Sequence, residues 1–398
     1  MMNYCGETGN GRNCAICDGS DLDVFLELPD VPAHCNVLWP ARDEALRCSR
    51  GPIQLAFCET CGCITNLRFD PSRIEYSSNY ENSLHFSSSF NRYAQSLACD
   101  LIERHELREK VILEIGCGKG EFLSLLCRLG NNRGIGFDSA YVDGRADTRA
   151  GKGVTFVKNI DWEACGDPCD LVCCRQVLEH VSNPVSFVRG IRATLSKRPE
   201  AMAFFEVPNG LFTFKKAGMW DIIYPHCFYY SAASLLKLFS LSGLRLTRLQ
   251  EAFGGQYLCV EAALSSHQAD ADAEIGIGVP PLKDAIVNFQ RNYQERVEEI
   301  RKALKPLRAS KSAIVWGAGA KAVMFLNKFG DDQVCDYVVD INPHKQGKFI
   351  PGTGQEVVPS EFLKEYRPKV VIIMNPNYRE EIELQVERLG LQPQFMVM

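Results

Sequence analysis

Apolar positions change their period along this chain, and each change marks an element. In "KVILEIGCGKGEFLSLL" a short continuous apolar run passes through glycines into apolar positions at helical spacing, which predicts a strand, a tight loop and a helix. Strand and helix patterns then alternate through "RGIGFD", "VTFV", "CDLVCCRQVLEHV" and "AMAFFEVPN", ending in two strand patterns within "GLRLTRLQEAFGGQYLCVEAAL". That alternation predicts a Rossmann-like, doubly wound α/β domain whose last two strands are antiparallel. Ahead of it, residues 72–109 run from polar and aromatic into helical period, an approach segment leading to the domain.

Downstream, "SSHQADADAEIGIGVPPLKD" is small and polar and predicts a linker, and "AIVNFQRNYQERVEEIRKAL" predicts a charged helix. A second strand, glycine loop and helix follow in "SAIVWGAGAKAVMFLNKFG", with further strands at "CDYVVDINP" and "KVVIIMNPN". The second half is therefore expected to be a smaller α/β unit that distantly echoes the first. The expected division is residues 1–72, 73–266 and 267–398, in line with two or three domains for 398 residues.

Composition narrows the partners. Forty-four Lys plus Arg against 49 Asp plus Glu give a net charge of −5 with no long basic run, which argues against nucleic acid or an anionic membrane surface. The first residues lack an apolar signal core and no run of about 18 apolar residues occurs, so the expectation is a soluble cytoplasmic protein, a monomer or weak oligomer.

Most of the 18 cysteines sit in apolar runs and read as reduced, buried thiols. Two pairs have a different spacing: "CAIC" (Cys14, Cys17) and "CETC" (Cys58, Cys61) are CxxC knuckles about forty residues apart. Each knuckle presents two thiolates from one turn, and two knuckles complete the closed four-sulfur shell of a structural zinc. Cys35, Cys48 and Cys63 are alternative ligands.

In "LEIGCGKGEF", Gly116, Gly118 and Gly120 stand at alternate positions after a strand, with Glu114 two residues before the first. Glycines let a ligand approach the backbone, and the following helix offers free N–H groups. Asp138 ends the next strand, where a carboxylate meets a ribose. These features predict a nucleoside cofactor. The spacing is GxGxG and not the dinucleotide GxGxxG, and it resembles the loop of S-adenosylmethionine methyltransferases. By that resemblance Asp138 holds the ribose, the stretch containing Asn159 and Asp161 approaches the adenine, and Gln176 in "RQVLEHV" borders the cofactor.

The chain as a whole resembles the deoxysugar C-methyltransferases, which act on C3 of nucleotide-linked 4-keto-deoxysugars. Three blocks carry the likeness: the CxxC pairs; "LEIGCGKGEF" with "RQVLEHV" and "YPHCFYYS"; and "WGAGAKAVMFLN" with "VDINPHKQGKFIPGT" and "NPN". "YPHCFYYS" matches the family's Tyr-Glu-His-x-x-Tyr-Phe-Ser at Tyr224, His226, Tyr229 and Ser231. It departs from it at Pro225, where the family has glutamate, and at Tyr230. The resemblance implies S-adenosylmethionine and structural zinc as cofactors, with a nucleotide-linked keto-deoxysugar as substrate. It also implies that the C-terminal half contacts the sugar nucleotide, through Lys321, Asn377 and Lys345, and that Tyr229 borders the substrate.

Methylating carbon needs a carbon nucleophile, and a ketone at C4 makes the C3 hydrogen acidic enough for a base to remove. His226 suits that step, since an unperturbed imidazole titrates near pH 6.5. Tyr224, Tyr80 and His180 are the candidate donors or positioning groups for the developing enolate. Without the family's glutamate, either Glu179 or Glu206 is expected to support His226. Pro225 leaves open O- or N-methylation of a related sugar nucleotide, and a non-catalytic binding role is the other alternative.

Overall fold

The computed structural model describes residues 13–74, 76, 79–142, 144, 153–158, 168–265, 280–310, 312–330 and 334–398. Three sheets organise them. The first has the order β1-β2-β3-β9 and comprises β1 (Leu22–Pro32), β2 (Arg50–Cys58) and β3 (Ile64–Asn66), with α1 (Arg42–Leu46) between β1 and β2. Its fourth member, β9 (Phe228–Tyr229), arrives from the middle of the chain and pairs Ile64 with Tyr229 and Thr65 with Phe228. The segment that carries His226 is thus stitched to the cysteine-rich layer.

The central sheet has seven strands in the order β10-β11-β8-β7-β4-β5-β6. These are β4 (Val111–Ile115), β5 (Arg133–Phe137), β6 (Val154–Val157), β7 (Leu171–Arg175), β8 (Met202–Pro208), β10 (Leu244–Ala252) and β11 (Tyr257–Leu264). β4 to β8 run parallel, whereas β11 pairs antiparallel with both β8 and β10. The doubly wound sheet and its antiparallel edge are as the apolar pattern predicts.

Local chemistry explains where its helices begin. α2 (Ser88–Arg104) starts at Ser87, whose hydroxyl accepts from the Phe90 amide, and buries Phe90, Ala94, Leu97, Ala98 and Leu101 at helical spacing. α3 (Glu121–Gly130) opens directly from the glycine loop. α4 (Pro184–Leu195) has Asn183 as cap and proline in its first turn, α5 (Gly210–Lys215) is capped by Asn209, and α6 (Ala232–Leu241) by a Ser231–Ser234 capping box.

The third sheet is all parallel, order β14-β13-β12-β15-β16, from β12 (Ala313–Trp316), β13 (Tyr337–Val339), β14 (Glu356–Val358), β15 (Val370–Ile373) and β16 (Gln394–Val397). α7 (Pro280–Ser310) leads into it, and α8 (Ala320–Phe329), α9 (Leu363–Tyr366) and α10 (Arg379–Arg388) cover it. One apolar core runs from this unit into the first sheet, joining Phe325 and Val338 to Phe25, Leu55 and Tyr224 through Phe289 of α7. The boundary expected at 266/267 lies outside the described residues.

Candidate active site

The central sheet changes winding direction between β4 and β7, and the C-terminal sheet does so between β12 and β15. Crevices at such points are where open α/β sheets take ligands. Gln176, just after β7, and Trp316, Gly317 and Asn375, at the ends of β12 and β15, all line one cavity of about 350 Å³. The two crevices therefore share a space.

Beside that space the glycine loop packs closely against its neighbours. Gly116, Gly118 and Gly120 have φ of +69°, +58° and +84°. A Cβ on Gly116 would lie 2.1 Å from Val177 Cγ2, and one on Gly120 2.4 Å from Phe156 Cζ. Asp138 accepts from the amides of Gly118 and Ala140, each at 2.7 Å, so its carboxylate folds the loop. Burial raises the Asp138 pKa despite those bonds, and lifts Glu114 to about 7. Glu114 Oε2 is buried without a hydrogen-bond partner among the described residues. Gln176 is a non-glycine residue at φ +55°, a strain that places its amide on the Glu206 carbonyl at 2.7 Å. Asn159 and Asp161 lie outside the described residues.

His226, His180, Tyr80, Gln176, Tyr229, Lys321 and Lys345 all line the cavity. His180 Nδ1 donates to the Pro225 carbonyl at 2.9 Å, and the two histidine rings meet edge-on with centroids 4.9 Å apart. Burial lowers the His180 pKa to about 4 and that of His226 well below the usual value, the latter helped by His180 and Lys321. Both rings are consequently neutral at physiological pH, as a base must be. Tyr80 receives a bond from Asn36 at 3.1 Å, and the Tyr229 hydroxyl bridges the amide and carbonyl of Ile223.

Of the two acids expected near His226, Glu206 is engaged elsewhere, by Arg175 at 3.0 Å, Gln176 at 3.1 Å and the Tyr93 hydroxyl. Glu179 is the one at hand. A ligating atom from each of Glu179, His180 and His226 lies within 4.8 Å of the others.

Two of the residues expected to serve catalysis or bind substrate do not line the cavity. Tyr224 is fully buried, with its hydroxyl on the Asp70 backbone amide at 2.9 Å. Asn377 donates to the Phe253 carbonyl at 2.6 Å, which clips the C-terminal unit to the β10–β11 hairpin. Lys321 is paired with Asp221, and Lys345, expected to contact the sugar nucleotide, is 5% exposed and donates to Ala318 O at 3.1 Å and Asp340 at 3.4 Å.

Sequence reasoning passed over Asp340. It accepts from the amides of Ala318 and Asn342, as Asp138 does from Gly118 and Ala140. The signal was present: each aspartate ends the next strand after a glycine loop.

The expected metal centre has the right donors. Cys14 and Cys61 sulfurs are 3.6 Å apart, as are those of Cys17 and Cys58. A tetrahedral zinc with Zn–S near 2.3 Å spaces its sulfurs by about 3.8 Å. The four residues fit a structural zinc, and Cys63 hangs beside them on the Ile64 carbonyl.

Comparison with known proteins gives two family matches in series. Residues 90–249 match a methyltransferase domain family and residues 274–397 a C-methyltransferase C-terminal domain family. Among curated proteins, C-methyltransferase NovU of Streptomyces niveus is 25% identical over 93% of this chain and 90% of that one. A ubiquinone biosynthesis O-methyltransferase of Neisseria meningitidis serogroup C is 32% identical over 28% of this chain and 50% of that one. Among solved structures, a SAM-dependent methyltransferase from Aquifex aeolicus aligns with a TM-score of 0.35 at 18% identity, covering 50% of this chain and all of that one. The Burkholderia thailandensis 1,6-didemethyltoxoflavin-N1-methyltransferase aligns at 0.35 and 17%, covering 45% and 82%.

Proposed function

We propose that this chain, a S-adenosylmethionine-dependent C-methyltransferase, methylates C3 of a nucleotide-linked 4-keto-deoxysugar in the cytoplasm, using an enolate generated by His226. The observation that carries the reading is the shared cavity. His180, His226 and Gln176 from the central unit and Lys321, Lys345 and Asp340 from the C-terminal unit line it together. A sugar linked to a nucleotide is a substrate with parts for both sets of residues.

The cofactor residues are Gly116, Gly118, Gly120 and Asp138, whose loop leaves backbone and not side chain against a bound nucleoside. S-adenosylmethionine, when bound there, supplies an electrophilic methyl group. His226 takes the C3 proton, and the electron pair passes into the C3–C4 enolate, whose carbon is the nucleophile. Tyr80, lining the same cavity, orients the ketone and its developing charge, and His180 packs edge-on against His226 as a positioning group. Lys321 and Lys345 meet the diphosphate, a task for fixed positive charge. The four cysteines hold zinc in a purely structural role, since a closed sulfur shell leaves no coordination position for substrate.

The deciding experiment is deuterium uptake at C3 of a nucleotide-linked 4-keto-6-deoxysugar with S-adenosylhomocysteine present, in the native protein and in His226→Ala. Exchange that needs His226 is expected. A substrate that binds without exchanging in the native protein would move the accepting atom to oxygen or nitrogen and remove His226 from the chemistry.

A further inference from the structure

The sequence puts proline where the enolate reading expects a carboxylate next to the base. We propose that Glu179 fills that role from a different element, as a neutral bridge that passes a hydrogen-bonded chain from the Pro225 carbonyl through His180 to His226. The inference rests on the proposed enolate chemistry for its consequence, but not for its geometry.

The chain is read from its fixed end. His180 Nδ1 donates to the Pro225 carbonyl at 2.9 Å, which leaves Nε2 as an acceptor. Glu179 Oε1 stands 3.9 Å from that Nε2. Glu179 Oε2 and His226 Nδ1 are both buried and both lack a hydrogen-bond partner among the described residues. Their residues each bring one ligating atom within 4.8 Å of the other's, and buried polar atoms that are costly when orphaned are satisfied by pairing. The backbone already holds the two segments in register, because the Cys227 amide donates to the Glu179 carbonyl at 2.8 Å and the Tyr230 hydroxyl to the Leu178 carbonyl at 3.2 Å. A small side-chain adjustment closes the chain.

Only one proton arrangement satisfies every member. Glu179 donates its carboxylic proton from Oε1 to His180 Nε2, Oε2 accepts from His226 Nδ1–H, and His226 Nε2 keeps its lone pair. Since Nδ1 is the buried nitrogen, Nε2 is the one available to substrate in the cavity. Burial supports this arrangement by raising Glu179 to about 8 while keeping both imidazoles uncharged. On proton abstraction the C3–H bond breaks, its pair enters the enolate, an N–H bond forms at Nε2, and the Nδ1–H bond to Glu179 holds the imidazolium in place. Glu179 is a positioning residue, since it acts through His226.

The test compares Glu179→Gln with Glu179→Met in the full chain, by ¹⁵N NMR of labelled histidine side chains, C3 deuterium exchange and S-adenosylhomocysteine affinity. Glutamine presents the same neutral donor and acceptor, so it is expected to keep the His226 Nδ1–H tautomer and to exchange within about tenfold of native. Methionine offers neither, and exchange is expected to fall by about a hundredfold with the tautomer lost and cofactor affinity unchanged. Glutamine as damaging as methionine would overturn the neutral bridge, as would an Nδ1–H tautomer that survives in Glu179→Met. If methionine prevents folding, the tautomer in Glu179→Gln decides alone. A second equivalent of metal, beyond that of the four cysteines and lost in both variants, would make the trio a metal site and overturn the proposal. A native protein that shows the tautomer dependence but no exchange would remove the enolate reading and leave the bridge standing.

Discussion

Gly116 shows how much one missing methyl group decides. Its φ of +69° lies in the left-handed region, and a Cβ there would meet Val177 at 2.1 Å, in the residue that follows Gln176. Gly116→Ala is therefore expected to cost roughly 1–3 kcal/mol of stability and to weaken S-adenosylhomocysteine binding more than tenfold, read by thermal unfolding and calorimetry. Glu179 makes a prediction about pH. Its folded pKa of about 8 stands above the ordinary 4.5, so the folded protein keeps a proton the unfolded chain has lost. That contribution to stability is complete below about pH 4.5 and disappears as pH rises through 8. Glu179→Gln cannot titrate, so its thermal midpoint should gain on the native one between pH 5 and 8, and the gain should level off above 8. Residue types singled out His226 and the glycines, but not that Lys345 is buried: exposure follows from packing against Asp340 and Ala318, which no lysine announces.

At the level of elements, the cysteine layer and the segment that carries His226 are one construction. β9 is only two residues long, and no sequence pattern marks it, because its pairing with β3 is made across 162 residues of chain. Around it, Asn66 N donates to Cys227 O at 2.9 Å, and Ser231 Oγ to Gly62 O at 3.1 Å, one residue beyond Cys61. Loosening the knuckles must loosen the backbone that aims His226. Chelation of zinc, or Cys58→Ser, is expected to abolish methyl transfer together with the tertiary circular dichroism of the first sheet. Retained activity in metal-free protein would show that the layer folds without its staple.

Across the whole molecule, the two α/β units close the cavity by a few polar contacts. Glu381, from α10, accepts from Ser87 Oγ at 2.6 Å and from the Ser88 and Ser89 amides at 2.9 and 3.0 Å, so it caps α2 from another unit. Asn342 donates to Glu81 at 3.0 Å, and Gln256 and Asn375 bond each other. Glu381→Ala is expected to lower stability by about 1–2 kcal/mol in urea titration. Because Glu381 also lines the cavity, it should raise KM for the sugar nucleotide more than it lowers kcat. An unchanged KM would mean that the units stay docked without the cap.

By itself the sequence determined the local grammar. Apolar period specifies the two wound sheets, glycine spacing specifies the cofactor loop, and paired knuckles specify four thiols, because each is written within a few dozen residues or less. The tertiary structure alone decided which of these meet. It turned Tyr224 and Asn377 toward packing and docking contacts, drew Glu206 to Arg175 and Tyr93, and set Glu179 beside His226. Such choices depend on desolvation and on backbone pairing between segments far apart in the chain. Burial, which raises the pKa of Glu179 and lowers those of His180 and His226, is a property of the assembled interior.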